Sequence, residues 1–88
     1  MLKIAFTKAA EKGLAKIEKF TAQRIFEKII WMAKNSEFVN HEQLSAQLKS
    51  FYKLRVGEYR VIYTIERENE GLILVHLVGH RREIYKLK

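Results

Sequence analysis

The chain has no cysteine. Disulfide bridges and thiolate-held zinc are therefore excluded, and the composition suits a reducing compartment. Proline is also missing and nothing resembles a low-complexity linker, so the 88 residues show no internal domain boundary. Aspartate is absent too: all ten acidic residues are glutamates, scattered along the chain. A nuclease that works through bound divalent ions needs a cluster of carboxylates to hold them. This distribution offers none, so any cleavage of nucleic acid is expected to need no metal and no other cofactor. No apolar run approaches the ~20 residues of a membrane-spanning helix, and the opening MLKIAFTKAAEKG lacks the pattern of a secretory signal. One soluble domain over residues 1–88, cytoplasmic and with no membrane partner, is the expectation.

What is present points to a globular polyanion binder. Hydrophobic residues make up 48% of the sequence, enough for a packed domain. A domain of this length hides only roughly 60–65% of the surface its unfolded chain exposes, so the core is thin and a bound partner would add stability. Seventeen lysines and arginines against ten glutamates give a net charge of +7. On so small a protein that excess is a usual footprint of nucleic-acid binding; the competing reading is a solubilising surface.

Periodicity divides the chain. Leu2–Phe6 alternates as a short strand. Thr7 is placed to cap a first helix over about Lys8–Lys19, in which Ala10, Leu14 and Ile17 recur at helical spacing. Thr21 is a second candidate cap, with Ile25, Ile29, Met32 and Ala33 marking a second helix through about Lys34. Asn35–Gln47 reads as a connection. Lys49–Val56, Tyr59–Arg67 and Leu72–Val78 then form an antiparallel meander, broken at Gly57-Glu58 and at Glu68-Asn69-Glu70-Gly71. The expected fold is α+β, in the order β-α-α-β-β-β, with a two-helix hairpin on a small, mainly antiparallel sheet.

The central hairpin can be read face by face, because strand side chains alternate. With Gly57-Glu58 as the loop, a type II′ turn suits the leading glycine. Tyr52, Leu54, Val56, Tyr59, Val61 and Tyr63 then share an apolar face turned to the helices. The other face sets Arg55 against Arg60 and Lys53 against Ile62. Like charges directly opposed cost about 0.2–1 kcal/mol, and an anion between the two arginines would remove that cost. The pairing therefore suggests a phosphate-binding surface; the alternative is a solvated face screened by Glu58 or Glu66. Beyond the third strand come His80, Arg81 and Arg82, with Tyr85 close by. A tyrosine among cations stacks on a base or anchors the C-terminus, and the charge pattern leaves both open.

The run from Leu48 to Tyr63, LKSFYKLRVGEYRVIY, resembles the central hairpin of the RelE/ParE toxin superfamily. The run from Val78 to Tyr85, VGHRREIY, resembles the ending of its RelE branch. The tight resemblance covers Leu48–Lys88, and the expected order of elements is similar to the family fold over the rest. It implies a toxin of a type II toxin–antitoxin system: an endoribonuclease that cuts messenger RNA in the ribosomal A site without a metal. It also implies a RelB-like antitoxin partner and contact with operator DNA only through that antitoxin.

The family's functional positions fall on Lys53, Arg55, Arg60, Arg81 and Tyr85. In RelE enzymes the position of Arg55 is often lysine, and the spacing from Arg81 to Tyr85 varies. The implied reaction is attack of the ribose 2′-hydroxyl on the adjacent phosphate. Arg60 and Arg81 would clamp the phosphate, Lys53 would activate the hydroxyl, and Tyr85 would orient the RNA. Arg55, His80 and Arg82 would contact RNA, with His80 the runner-up acid or base. His41 and His76 are expected to be structural. The Lys8, Lys12, Lys16, Lys19 face would meet the polyanionic ribosome or simply be solvated. Three rivals share the fold or the charge: a ParE-like gyrase inhibitor, a non-catalytic nucleic-acid-binding module, and a toxin that has lost its cutting activity.

Overall fold

Thr7 begins the helical half as its position suggests: its hydroxyl accepts from Ala10 N–H at 3.1 Å and donates to the His76 carbonyl at 2.9 Å. One side chain thus caps helix α1 (Lys8–Ala15) and ties it to the sheet. The computed structural model describes residues 2–68 and 71–86, with the side chains of Tyr85 and Lys86 outside the description. The full order is β1 (Lys3–Phe6), α1, α2 (Lys19–Lys34), β2 (Glu42–Gln43), β3 (Tyr52–Val56), β4 (Tyr59–Glu66), β5 (Leu72–His80) and α3 (Arg81–Lys86). The expected α+β class and the β-α-α-β-β-β core are therefore present, with a two-residue strand and a C-terminal helix added.

The first two helices divide earlier than the sequence suggests. Glu18, not Thr21, caps α2: its carboxylate accepts from the N–H groups of Phe20 at 2.9 Å and Thr21 at 3.1 Å. Those bonds hold its carboxyl below the usual carboxylate range. Thr21 instead sits inside the helix and donates its hydroxyl to Glu18. The proposed lysine face accordingly breaks after Lys16, because Lys19 starts the next helix.

The five strands lie in the order β1-β5-β4-β3-β2. β1 runs parallel to β5, and the other pairs are antiparallel. Every cross-strand pair expected of the β3–β4 hairpin is observed: Tyr52 with Tyr63, Lys53 with Ile62, Leu54 with Val61, Arg55 with Arg60 and Val56 with Tyr59. The strand expected from Lys49 starts only at Tyr52. Before it the chain turns, with Ser45 Oγ accepting from Leu48 N–H and the Leu48 carbonyl accepting from Phe51 N–H. At the other end β5 continues past Val78 to His80. Of the second expected turn, Asn69 and Glu70 lie outside the described residues.

Both helices of the hairpin pack on one face of the sheet. Ala10, Ile25, Ile29 and Met32 meet Val61, Tyr63, Ile73, Val75 and Val78 in one buried cluster, flanked by Tyr52, Leu54, Val56 and Tyr59. Alternation therefore turns the remaining hairpin side chains to the opposite face, where Ile62 and Arg60 are buried, as is Ile84 of α3. Gly13 permits the close approach of α1 to the sheet. A Cβ there would fall well inside contact distance of the Val78 carbonyl oxygen and 3.2 Å from its carbon. Among the described residues no helix is long and apolar enough to cross a membrane.

Candidate functional site

The face opposite the helices acquires its charge from strand register. Arg55 opposes Arg60, and Arg60 opposes Gly79 on β5; the next row is Lys53, Ile62 and Leu77. Neighbouring strands are about 4.8 Å apart, so these cations gather at one end of the sheet, beside the β3–β4 turn. Gly57 forms that turn at φ 59, a left-handed conformation that favours glycine.

Two different partners relieve the opposed arginines. β2 pairs with β3 and sets Glu42 opposite Lys53. One carboxylate oxygen of Glu42, Oε2, lies 3.2 Å from Lys53 Nζ and 3.3 Å from Arg55 Nη2. These cations, the Lys53 hydrogen bond foremost, hold the Glu42 carboxyl below its ordinary range. Arg60 is only 7% exposed, and its Nη1 donates to the carbonyls of Gly57 and Tyr59, both at 2.9 Å. It therefore braces the hairpin loop from beneath. The sequence offered a bound anion, or screening by Glu58 or Glu66, to relieve the repulsion; the structure adds a carboxylate from a neighbouring strand and two backbone carbonyls.

Arg81 stands on the other side of the same turn. Its N–H donates to the Glu58 carbonyl at 2.8 Å, and its Nε lies 3.5 Å from Glu58 Oε2. The loop thereby fixes the first residue of α3. His80 ends β5 with its Nδ1 accepting from Arg82 N–H at 3.2 Å, and its ring meets Tyr59 edge-on at 5.6 Å. Arg82 is exposed. Tyr85 belongs to α3, but its side chain lies outside the described residues. Lys53, Arg55, Arg60, His80 and Arg81 thus surround one hairpin loop.

Glu42 is the addition that the sequence did not suggest. A strand of two residues leaves no alternation to detect, and its connecting stretch reads as polar. His41 holds it in place. Nε2–H of His41 donates to the Ser36 carbonyl at 2.9 Å, which leaves Nδ1 to accept from Tyr63 O–H at 2.6 Å. The ring also contacts Tyr52 and Tyr63, with centroids 5.6 and 5.8 Å away. Burial, reinforced by neighbouring Tyr52, pushes the Tyr63 phenol well above its usual range. His76 bonds Thr64 through Nε2 at 2.9 Å. Both histidines therefore carry structural bonds. Among the described residues no three His or Glu side chains converge as they would around a metal ion.

A small α+β domain whose cations ring one hairpin loop has the architecture of a known class of toxins. The family described as the ParE toxin of type II toxin–antitoxin systems matches residues 4–85. No curated protein matches. Among solved structures, the toxin–antitoxin complex RelBE2 of Mycobacterium tuberculosis superposes with a TM-score of 0.78 at 23% identity, covering 91% of this chain and 98% of that one. The isolated RelE toxin of E. coli gives 0.76 at 19% identity, over 99% and 94% of the two chains. The RelB–RelE complex of Methanococcus jannaschii gives 0.69 at 26% identity, over 94% and 96%. The chain belongs to the RelE/ParE superfamily of toxins from toxin–antitoxin systems.

Proposed function

We propose that the protein is the ribonuclease kind of toxin: a cytoplasmic endoribonuclease that cuts messenger RNA on the ribosome without a metal. The observation that carries this reading is the gathering of Lys53, Arg55, Arg60 and Arg81 around the β3–β4 turn. Gyrase inhibition does not call for such a cluster, whereas phosphate-ester cleavage does. The reaction needs an acceptor for the 2′-proton, positive charge at the phosphorane and an acid for the leaving 5′-oxygen.

In this reading Arg81 and Arg55 bind the scissile phosphate, since guanidinium groups present fixed forks to its oxygens. Arg60 supplies buried positive charge and holds the loop. Glu42 takes the 2′-proton, because a carboxylate already ionised at neutral pH accepts directly. Lys53 orients Glu42 and faces the developing charge. His80 protonates the leaving oxygen, with Tyr85 orienting the RNA and Arg82 contacting its backbone. The ribosome supplies the in-line geometry that free RNA seldom adopts.

The protein partner is an antitoxin. The relatives in the M. tuberculosis and M. jannaschii structures are toxin–antitoxin complexes. This chain exposes large aromatic side chains that folding does not use: Phe20 is 68% exposed, Trp31 47% and Phe38 86%. Lys28 covers the Trp31 ring at 4.2 Å, so an acidic amphipathic helix would find both apolar and charged contacts there. Operator DNA is then reached through the antitoxin.

The test is cleavage of messenger RNA on programmed ribosomes by the wild type and by Arg81→Ala and Glu42→Gln. Arg81→Ala is expected to lose on the order of 10²–10³ in rate, by analogy with loss of one oxyanion donor, and Glu42→Gln on the order of 10²–10⁴, the usual contribution of a general base. Full activity in both folded variants would refute the site. The ParE-like reading is favoured by the description of the matching family. Inhibition of DNA supercoiling by gyrase, with no RNA cut, would establish it instead.

A further inference from the structure

A cavity lies around the sheet end from the cationic cluster. It measures about 470 Å3 and opens between the last turn of α1, the ends of β4 and β5, and α3. Two aromatic rings line it: Tyr59 and His80 are cross-strand partners, with centroids 5.6 Å apart and planes at 77°. Lys16 of α1 and Glu83 of α3 contribute one cation and one carboxylate from different elements. Both residues are exposed and belong to none of the ion pairs of the cationic cluster.

That combination selects among ligands. A phosphate would meet Glu83, and an aliphatic side chain would strip water from Lys16 and Glu83 without replacing it. Because the two rings stand nearly perpendicular, a flat heterocycle can stack on one and meet the other edge-on, with its polar edge turned to the charged groups. Guanine alone among the RNA bases offers two adjacent N–H donors for a carboxylate, beside a carbonyl oxygen for an ammonium. Position agrees with chemistry. Alternation puts Tyr59 and His80 on the helix-packed face and Arg60 on the other, but His80 immediately precedes Arg81, the first residue of α3, so the cavity lies one residue along the chain from the cation assigned to the phosphate.

We propose that this cavity is a guanine-selective base subsite for a nucleotide adjoining the phosphate held by Arg81. The proposal rests on the ribonuclease reading above. The toxin then binds RNA in two ways: cations around the β3–β4 turn hold the backbone, and the α1–β5–α3 cavity selects one neighbouring base. The sequence preference of cutting arises in part from Lys16 and Glu83, which lie outside the reacting groups.

The test is titration of the full chain with guanosine 5′-monophosphate, adenosine 5′-monophosphate and ribose 5-phosphate, following the His80 and Tyr59 ring signals by NMR. Guanosine monophosphate is expected to bind at least about tenfold more tightly than ribose 5-phosphate, with adenosine monophosphate between. Glu83→Gln is expected to abolish the preference for guanosine over adenosine while leaving ribose 5-phosphate binding unchanged. Equal affinity for all three compounds would overturn the base subsite and leave the phosphate site standing. Binding of none of them would overturn both. A guanosine preference that survives in both Glu83→Gln and Lys16→Gln would overturn the assigned recognition.

Discussion

Replacing Gly13 with alanine sets two effects against each other, and the structure decides between them. Gly13 lies within α1, where alanine is favoured over glycine by about 1 kcal/mol. Propensity alone therefore predicts a more stable protein. Yet the new Cβ would meet the backbone of Val78, with its carbonyl carbon 3.2 Å away and the oxygen closer still. Backbone cannot rotate aside as a side chain does. Val78 is also held on β5, which is bonded to β1 on one side and β4 on the other. The helix must lift, and overpacking of this kind costs about 1–3 kcal/mol or more. The net expectation is a loss of up to roughly 2 kcal/mol, and each kcal/mol lowers Tm by about 4–8 °C in a domain of this size. Thermal unfolding followed by circular dichroism measures it. Ala9→Gly, at an exposed position of the same helix, isolates propensity and should cost about 1 kcal/mol. A Gly13→Ala protein with raised Tm would refute the close-approach argument.

Other consequences follow from the residues around Glu42. His41→Leu strands the buried Tyr63 hydroxyl at a cost of about 1–3 kcal/mol, measurable by urea unfolding, and loosens the strand that carries Glu42. The Glu42 carboxyl should titrate below an ordinary glutamate in carbon-detected NMR, and Lys53→Gln should return it toward the usual value. Its contribution is complete above the unfolded pKa and is lost as pH falls through the lower folded one. Tyr63 behaves in the opposite sense. Its folded pKa lies above the unfolded value near 10, so stability is retained below about pH 10 and declines as pH rises further. Tyr63→Phe should flatten the alkaline limb of a stability–pH curve; an unchanged limb would assign it to another group.

Legibility in the sequence followed periodicity. The β3–β4 register was readable because one loop and strict alternation fix every pair, and the pairing of Arg55 with Arg60 came with it. Thr7 was readable as a cap because its residue type suits that position. Glu18 was not, because glutamate is outside the preferred capping types and Thr21 offered a better-looking candidate three residues on. Glu42 was hidden because the hairpin does not stand as two isolated strands. β2, too short to show a pattern, brings Glu42 to Lys53 and Arg55 from outside the hairpin. The start of α3 was hidden for a related reason: Arg81 is fixed by the distant Glu58 carbonyl, and the side chain that caps the helix is His80, outside the preferred capping types.

The most direct measurement adds the purified wild type and Arg81→Ala to ribosomes carrying a defined messenger and maps the 5′ ends produced. The account predicts cuts in the decoding site by the wild type, without added metal beyond what the ribosome itself needs, and none by a folded Arg81→Ala. An intact messenger with the folded wild type would contradict the ribonuclease reading and turn attention to gyrase. Equal cutting by the two proteins would keep the ribonuclease and remove Arg81 from its site.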